Sequence, residues 1–503
     1  MKFRLFIVVM SVLWMYRPSY ALLKIGFVDI FPTVRVTSRN FKVESIDRLF
    51  YTQYHLSPKA FVVGIDYQIV GIHFFVALDF MRNLEAEFYK MTWTNLPVGK
   101  NLAASASTNF PSEGFIGYHN DVITASIGRR RAHLGPGNHG LMLSRYTPYF
   151  DGIWLSLHPK TRENQRFFYT FFLAADDTAA LNRLWNAFDP YAADVMQLNR
   201  YQQRTKFLAV HRIGYQFEFL KFGIGESSII SGIPLTFFNA NPMNFWHNTY
   251  EVGLNVTLGF DIEGVIGKKR NIRLYGEFLL DDVKTSVEPG GNPLAFGLSL
   301  GAQWHVFERD EEHFGPNFDY TRNTLQEGGF NFTGKSGLVL GFQAVWATRY
   351  LYSRAMDDPL GKFTFHNQLQ LGVGHWSVLE NYIGFTHGPD SVLLEFQADY
   401  IDKNWRIQST FGIFLWGESG RANSGFLPTY QGNIAIGGLF DPINDLGNVF
   451  LSGVESVLLL PKVNVFYAFK RWLSVYGGFS AEIDILHITQ SRITVESGVA
   501  MRF

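Results

Sequence analysis

The chain has 503 residues, with 44 Lys plus Arg against 44 Asp plus Glu and no cysteine. Balanced charge leaves no overall basic footprint for nucleic acid or an anionic surface, and the lack of thiols excludes a disulfide framework, thiolate catalysis and thiolate metal ligation. Aromatic residues make up 16% of the sequence, a supply that suits a lipid-facing wall bounded by two interfacial girdles.

Lys2 and Arg4 precede an apolar run from Leu5 to Tyr16, and Ser19-Tyr20-Ala21 places small residues at the two positions a signal peptidase reads. Arg17 and Pro18 end the run well short of the ~20 residues that a spanning helix needs. Residues 1–21 therefore read as a signal peptide and 22–503 as one exported domain. Past that point apolar residues alternate with polar ones instead of forming blocks, which is how a membrane barrel hides from hydropathy plots.

Further along, Arg129, Arg130 and Arg131 stand beside Gly135-Pro136-Gly137. Guanidinium groups bind carboxylate and phosphate through paired hydrogen bonds, so this cluster is a candidate contact for an acidic sugar or lipid headgroup. The competing reading is an ordinary solvated turn, or a partner for acids in the lumen. Tyr146, Tyr149 and Trp246 offer faces on which sugar rings stack, although an interfacial girdle accounts for such aromatics equally well. Residues 177–203 have helix-forming composition broken at Asp189-Pro190, and predict a short helical insertion.

Strand parity turns Arg212, Glu218, Glu277, Asp281 and Asp282 toward the lumen, as a salt-bridged network that fixes a plug or, alternatively, as a path for sugar or ions. Glu226 shares its parity with Phe222 and Ile224, which should face lipid, and Gly223 and Gly225 permit a bulge that would turn it inward. The clearest hairpin opposes Val252, Leu254, Val256, Leu258, Phe260 and Ile262 to small or polar residues, then returns after Gly267-Lys268-Lys269-Arg270. Residues 310–335 are polar and Gly-rich, and read as a long loop that caps or enters the barrel. A second hairpin spans Ser391 to Leu415. The final strand alternates Val495, Val499, Met501 and Phe503 against Glu496, Gly498, Ala500 and Arg502, and ends on an aromatic as a barrel seam does. The fold class is an all-β transmembrane antiparallel barrel of roughly 16–18 strands.

An ordered series of segments resembles the Wzi-like capsule-assembly outer-membrane family. They are Ser126–Ser144 with Tyr149–Ser156, His211-Arg212 with Phe222–Ser227, Asn241–Phe245 with Tyr275–Asp282, and Gly384–Ser391. The chain departs from the family at His133-Leu134, where an aromatic usually precedes the turn, and at Thr386-His387. The resemblance implies a monomeric, plugged barrel in the outer membrane, without cofactor, that binds cell-surface polysaccharide and helps to hold a capsule. Its other expected partners are outer-membrane lipid and the barrel-assembly machinery.

An alternative is a porin or substrate channel. A hydrolase would rest only on His139 lying five residues from Ser144, an odd spacing that a regular strand puts on opposite faces. No metal-binding or phosphate-loop motif is present in the sequence.

Overall fold

In the computed structural model the alternating stretches form 18 antiparallel strands that close on themselves. The structure describes residues 26–38, 59–82, 93–94, 104–105, 112–147, 149–176, 205–245, 254–267, 269–282, 294–309, 323–326, 330, 332, 335–352, 354–355, 361–372, 375–417, 426–427, 439–440, 451, 453–454, 456–488 and 491–503. The expected signal peptide, the expected helical insertion and Trp246 lie outside these residues.

The first strand, β1, is broken at Pro32 into Phe27–Ile30 and Thr33–Thr37. It is followed by β2 (Phe61–Ile69), β3 (Ile72–Arg82), β4 (Glu113–His119), β5 (Ile123–Arg130) and β6 (Phe150–Leu157). The middle of the wall comprises β7 (Gln165–Ala175), β8 (Lys206–Gln216), β9 (Leu220–Ser231), β10 (Leu254–Ile266), β11 (Ile272–Asp282) and β12 (Ala295–Glu308). It is completed by β13 (Gly337–Ala347), β14 (Ser391–Ile401), β15 (Trp405–Trp416), β16 (Ser456–Lys470), β17 (Leu473–Asp484) and β18 (Arg492–Arg502).

Consecutive strands pair with their neighbours, and β18 pairs back onto β1, with Asp29 opposite Arg502 and Thr33 through Thr37 opposite Gly498 through Thr494. The terminal strand thus closes the seam. On the inner face two ion pairs span that seam. Arg502 reaches both oxygens of Asp29, at 2.7 and 2.6 Å, and Arg35 places Nε and a terminal nitrogen on Glu496 at 3.0 and 2.7 Å.

The two ends of the barrel differ. Short turns at Val70-Gly71, Asn120–Val122, Phe217–Phe219, Asp402–Asn404 and Arg471-Trp472 gather at one end, together with Phe27 and Phe503. The opposite end carries connections such as 38–60, 131–149, 176–205 and 348–390. In outer-membrane barrels the long loops face outward, so the second end is the outer mouth. One long connection, residues 309–336, belongs to the turn end.

Side chains alternate as the sequence predicts. Ile127, Ile153, Phe260, Leu274, Leu300 and Phe396 stand on the outer surface. Arg273, Tyr275, Glu277, Leu279 and Asp281 point inward from β11. The seam pairs generate a test. Asp29→Lys removes a charge-assisted contact worth about 1.5–3 kcal/mol and should lower the heat-modification midpoint in semi-native electrophoresis. Combining it with Arg502→Glu should restore much of the loss; a double variant no better than the single one would show that the seam pair is incidental.

Candidate functional site: the filled lumen

The segment after β5 turns into the barrel instead of crossing its mouth. Residues 132–144 form a narrow hairpin, bridged between Leu134 and Leu143, whose tip is Gly135-Pro136-Gly137. A tip in a dry interior carries backbone N–H groups that water cannot reach, and side chains from the wall accept their hydrogen bonds. Glu277 on β11 accepts from the amides of Gly137 and Leu141, both at 2.9 Å. Gln343 on β13 accepts from Asn138 and His139 and donates to the His139 carbonyl. Arg273 holds the Pro136 carbonyl at 2.8 Å while pairing with Glu263.

Glycine is required where the tip meets these groups. Gly135 has φ +99°, and a Cβ there would lie 2.8 Å from the Glu277 carboxylate. A Cβ at Gly137 would collide with the Gln343 amide.

Two other connections fold in against the hairpin. From the outer mouth, Tyr352 places its hydroxyl on the Leu141 carbonyl at 2.6 Å and receives the Phe385 amide, while the Ser144 amide donates to Ile383. Tyr352 occupies the left-handed region at φ 64°, which a bulky residue adopts only when its surroundings impose it. Its amide is held by Asp281 at 2.6 Å. From the turn end, residues 323–326 reach up to pair in parallel with Ala132-His133. Leu134, Leu141, Trp154, Phe172, Phe385 and Phe414 belong to the apolar cluster that results, and burying each such side chain contributes roughly 1.5–3 kcal/mol.

Of the predicted lumen charges, Arg212 pairs with Asp261 through two bonds at 3.0 and 2.6 Å, and Glu277 and Asp281 anchor the plug. The β11 ladder shifts between Leu280 and Asp282, leaving Asp282 half-buried beside Asp281. Glu218 is a correction. It lies in the exposed turn between β8 and β9 and pairs with Arg270, because strand parity does not extend into a turn. Glu226 is another. Both ladders run unbroken through it, so no bulge forms; it keeps its outward parity, is buried, and accepts from the Ser228 hydroxyl at 3.1 Å.

The three arginines do not form one patch. Arg129 faces outward near the mouth and grips Asp151 on β6 through bonds of 2.8 and 2.5 Å. Arg130 faces inward, with its guanidinium 3.9 Å above the Phe115 ring and Nε donating to the Asn323 carbonyl. Arg131 is buried and stacks on Tyr149 at 4.7 Å. Tyr146 packs against His139, whose ring turns to Glu395 at 3.3 Å. The Ser144 hydroxyl is engaged with the Asn138 carbonyl and the Tyr146 amide. Gln343, Glu263 and Tyr352 also hold the plug and its partners, and the sequence pattern does not mark them. Glu263 lies one residue beyond the hairpin pattern, whereas Gln343 and Tyr352 carry no local signal.

No family model and no curated protein matches the chain. Among solved structures it is similar to Wzi, an outer membrane protein involved in group 1 capsule assembly in Escherichia coli and described as a carbohydrate-binding β-barrel. The two share 12% identity over 98% of this chain and 91% of that one, with a TM-score of 0.50. Pseudomonas aeruginosa OccK5 (OpdH) matches at 8% identity over 95% and 97%, with a TM-score of 0.38. Outer-membrane expressed OmpT of Vibrio cholerae matches at 7% over 95% and 97%, with a TM-score of 0.34.

Two outcomes test the plug. Glu277→Ala strands two buried amides, each worth about 1–3 kcal/mol, and should convert a silent barrel in planar bilayers into one showing conductance steps. Equal silence of the variant would show that the carboxylate does not hold the plug. Acid gives the second. Burial pushes the His133 imidazole, which donates to the Gly137 carbonyl, from its ordinary 6.5 to about 3. A folded value below the unfolded one means its full contribution is present above pH 6.5 and is lost as pH falls toward 3. His133→Gln should therefore reduce acid-induced opening recorded between pH 6.5 and 4 in the same bilayers. The chain is an 18-stranded outer-membrane β-barrel whose lumen is filled by its own connections.

Proposed function

We propose that this chain is a non-enzymatic outer-membrane protein that binds an acidic cell-surface polysaccharide and supports its attachment or assembly at the surface. The observation that carries the reading is the inward fold of residues 132–144 and their partners. Porins of 16–18 strands leave an aqueous channel. Here apolar side chains and capped backbone fill that space, so the interior of this wall is organised for rigidity instead of passage. The likeness to a carbohydrate-binding barrel supports the same reading.

The basic segment at the outer mouth is the proposed contact. Arg129 is the accessible member, held by Asp151; Arg130 and Arg131 turn away to Phe115 and Tyr149, and Tyr146 packs on His139, so these four remain proposed contacts on their sequence positions. Trp246 remains a proposed stacking face on its sequence position alone.

Purified protein should retain acidic surface glycan on an array, and deletion should reduce whole-cell glycan staining. Arg129→Gln should weaken binding several-fold and flatten its salt dependence, because exposed charge contacts are screened over about 8 Å at physiological ionic strength. Asp151→Asn should tighten it by freeing the guanidinium. An array without any bound glycan, combined with large steady conductance, would sink this reading in favour of a channel.

A further inference from the structure

The loop that follows β9 lies on the wrong side of the wall for a plug. Residues 232–245 leave β9 at the outer mouth and fold back down the outside of the barrel. Ile233 and Leu235 pack on the outer-face cluster of Ala209, Ile230 and Leu254. Phe245 lies against the rings of Tyr169 and His211, at 5.3 Å from each. The Tyr169 hydroxyl donates to the Pro242 carbonyl. These wall residues alternate with Thr170 and Arg212, which are buried on the lumen side, so the contact face is the one that carries Phe222 and Phe260 toward lipid. His211 sits near the middle of β8, and the loop therefore reaches well down the height of the wall.

Irregular backbone facing hydrocarbon is costly because each free polar group loses its hydrogen bonds. This loop answers the constraint in three ways. Its sequence from Gly232 to Phe245 contains no charged residue. Several of its amides are bonded within the loop: Ala240 to the Thr236 carbonyl, Asn241 to Phe238, and Asn244 to Asn241. Asn239 and Met243 donate to the side chains of Thr236 and Asn241. What it presents outward is apolar. Phe237, Met243 and Phe238 are 84%, 72% and 58% exposed. An exposed apolar surface on an uncharged segment that bonds several of its own amides fits acyl chains better than water.

We infer that residues 232–245 are a flap embedded in the acyl chains of the outer leaflet, with Phe237, Phe238 and Met243 as its anchors. Its underside shields Tyr169 and His211 from hydrocarbon, and Glu226 stands directly across the ladder from His211. The occupant is lipid, argued from continuity with the surrounding apolar band and from the absence of charge in the flap.

The chain has no cysteine, so single introduced thiols report without background. Phe237→Cys and Met243→Cys, each carrying a nitroxide label, are reconstituted as full chains in phosphatidylcholine vesicles. Phe260→Cys on the outer wall and Lys269→Cys in an exposed turn serve as references. Collision rates with oxygen and with a water-soluble nickel chelate are then compared. The flap labels should match Phe260→Cys, with an oxygen-to-nickel ratio several-fold above that of Lys269→Cys. A ratio equal to that of Lys269→Cys would place the flap in water and overturn the inference. Protection from both reagents would also overturn it, by revealing a protein neighbour. Both sites are highly exposed, so folding should persist; each sample is confirmed by heat-modified mobility before labelling.

Discussion

Everything in this molecule follows from the demand that no strand be left with an unpaired edge. In hydrocarbon an open edge would expose a row of unsatisfied N–H and C=O groups, so the last strand must find the first. Once 18 strands are committed to that circle, the ring encloses more space than wall side chains alone can fill. The interior must then hold either water or protein. Here the chain supplies protein, and it is drawn from connections that enter by both mouths.

Filling a lumen with irregular backbone creates a second demand for hydrogen-bond partners. The wall meets it from inward-facing positions. Glu277, Gln343, Arg273 and Asp281 each hold a backbone group of the inserted segments. Burying so much charge is expensive, and paired ions in an interior often stabilise no more than apolar residues of the same volume. Their use here is directional. An apolar wall would admit many placements of a hairpin tip, whereas two carboxylate oxygens that accept from Gly137 and Leu141 define one.

Period-two alternation made the strands, the seam and the inward set on β11 legible from residues alone, because side-chain parity is a local property. Its failures are equally local. Glu218 sits in a turn, where alternation has stopped. Glu226 reads as a bulge because a carboxylate facing lipid is costly; the strand instead keeps it outward and buried beside the Ser228 hydroxyl, on a face partly covered by a loop beginning six residues later, which no pattern around Glu226 announces. Three consecutive arginines read as one cluster, although the same period of two separates Arg129 from Arg130 at the end of a strand. Gln343 and Tyr352 matter only because distant segments meet them, and sequence distance hides such meetings.

The parallel pairing of Leu325-Gln326 with Ala132-His133 has a consequence for how the barrel is made. The partners lie almost 200 residues apart, and they approach from opposite mouths. Neither segment can be threaded comfortably into a finished ring, since each would drag a polar connection through a filled interior. The open sheet must therefore curl around its own contents before the ring closes. Seam pairing then does two things at once: it removes the last open edge of the wall, and it encloses the inserted segments.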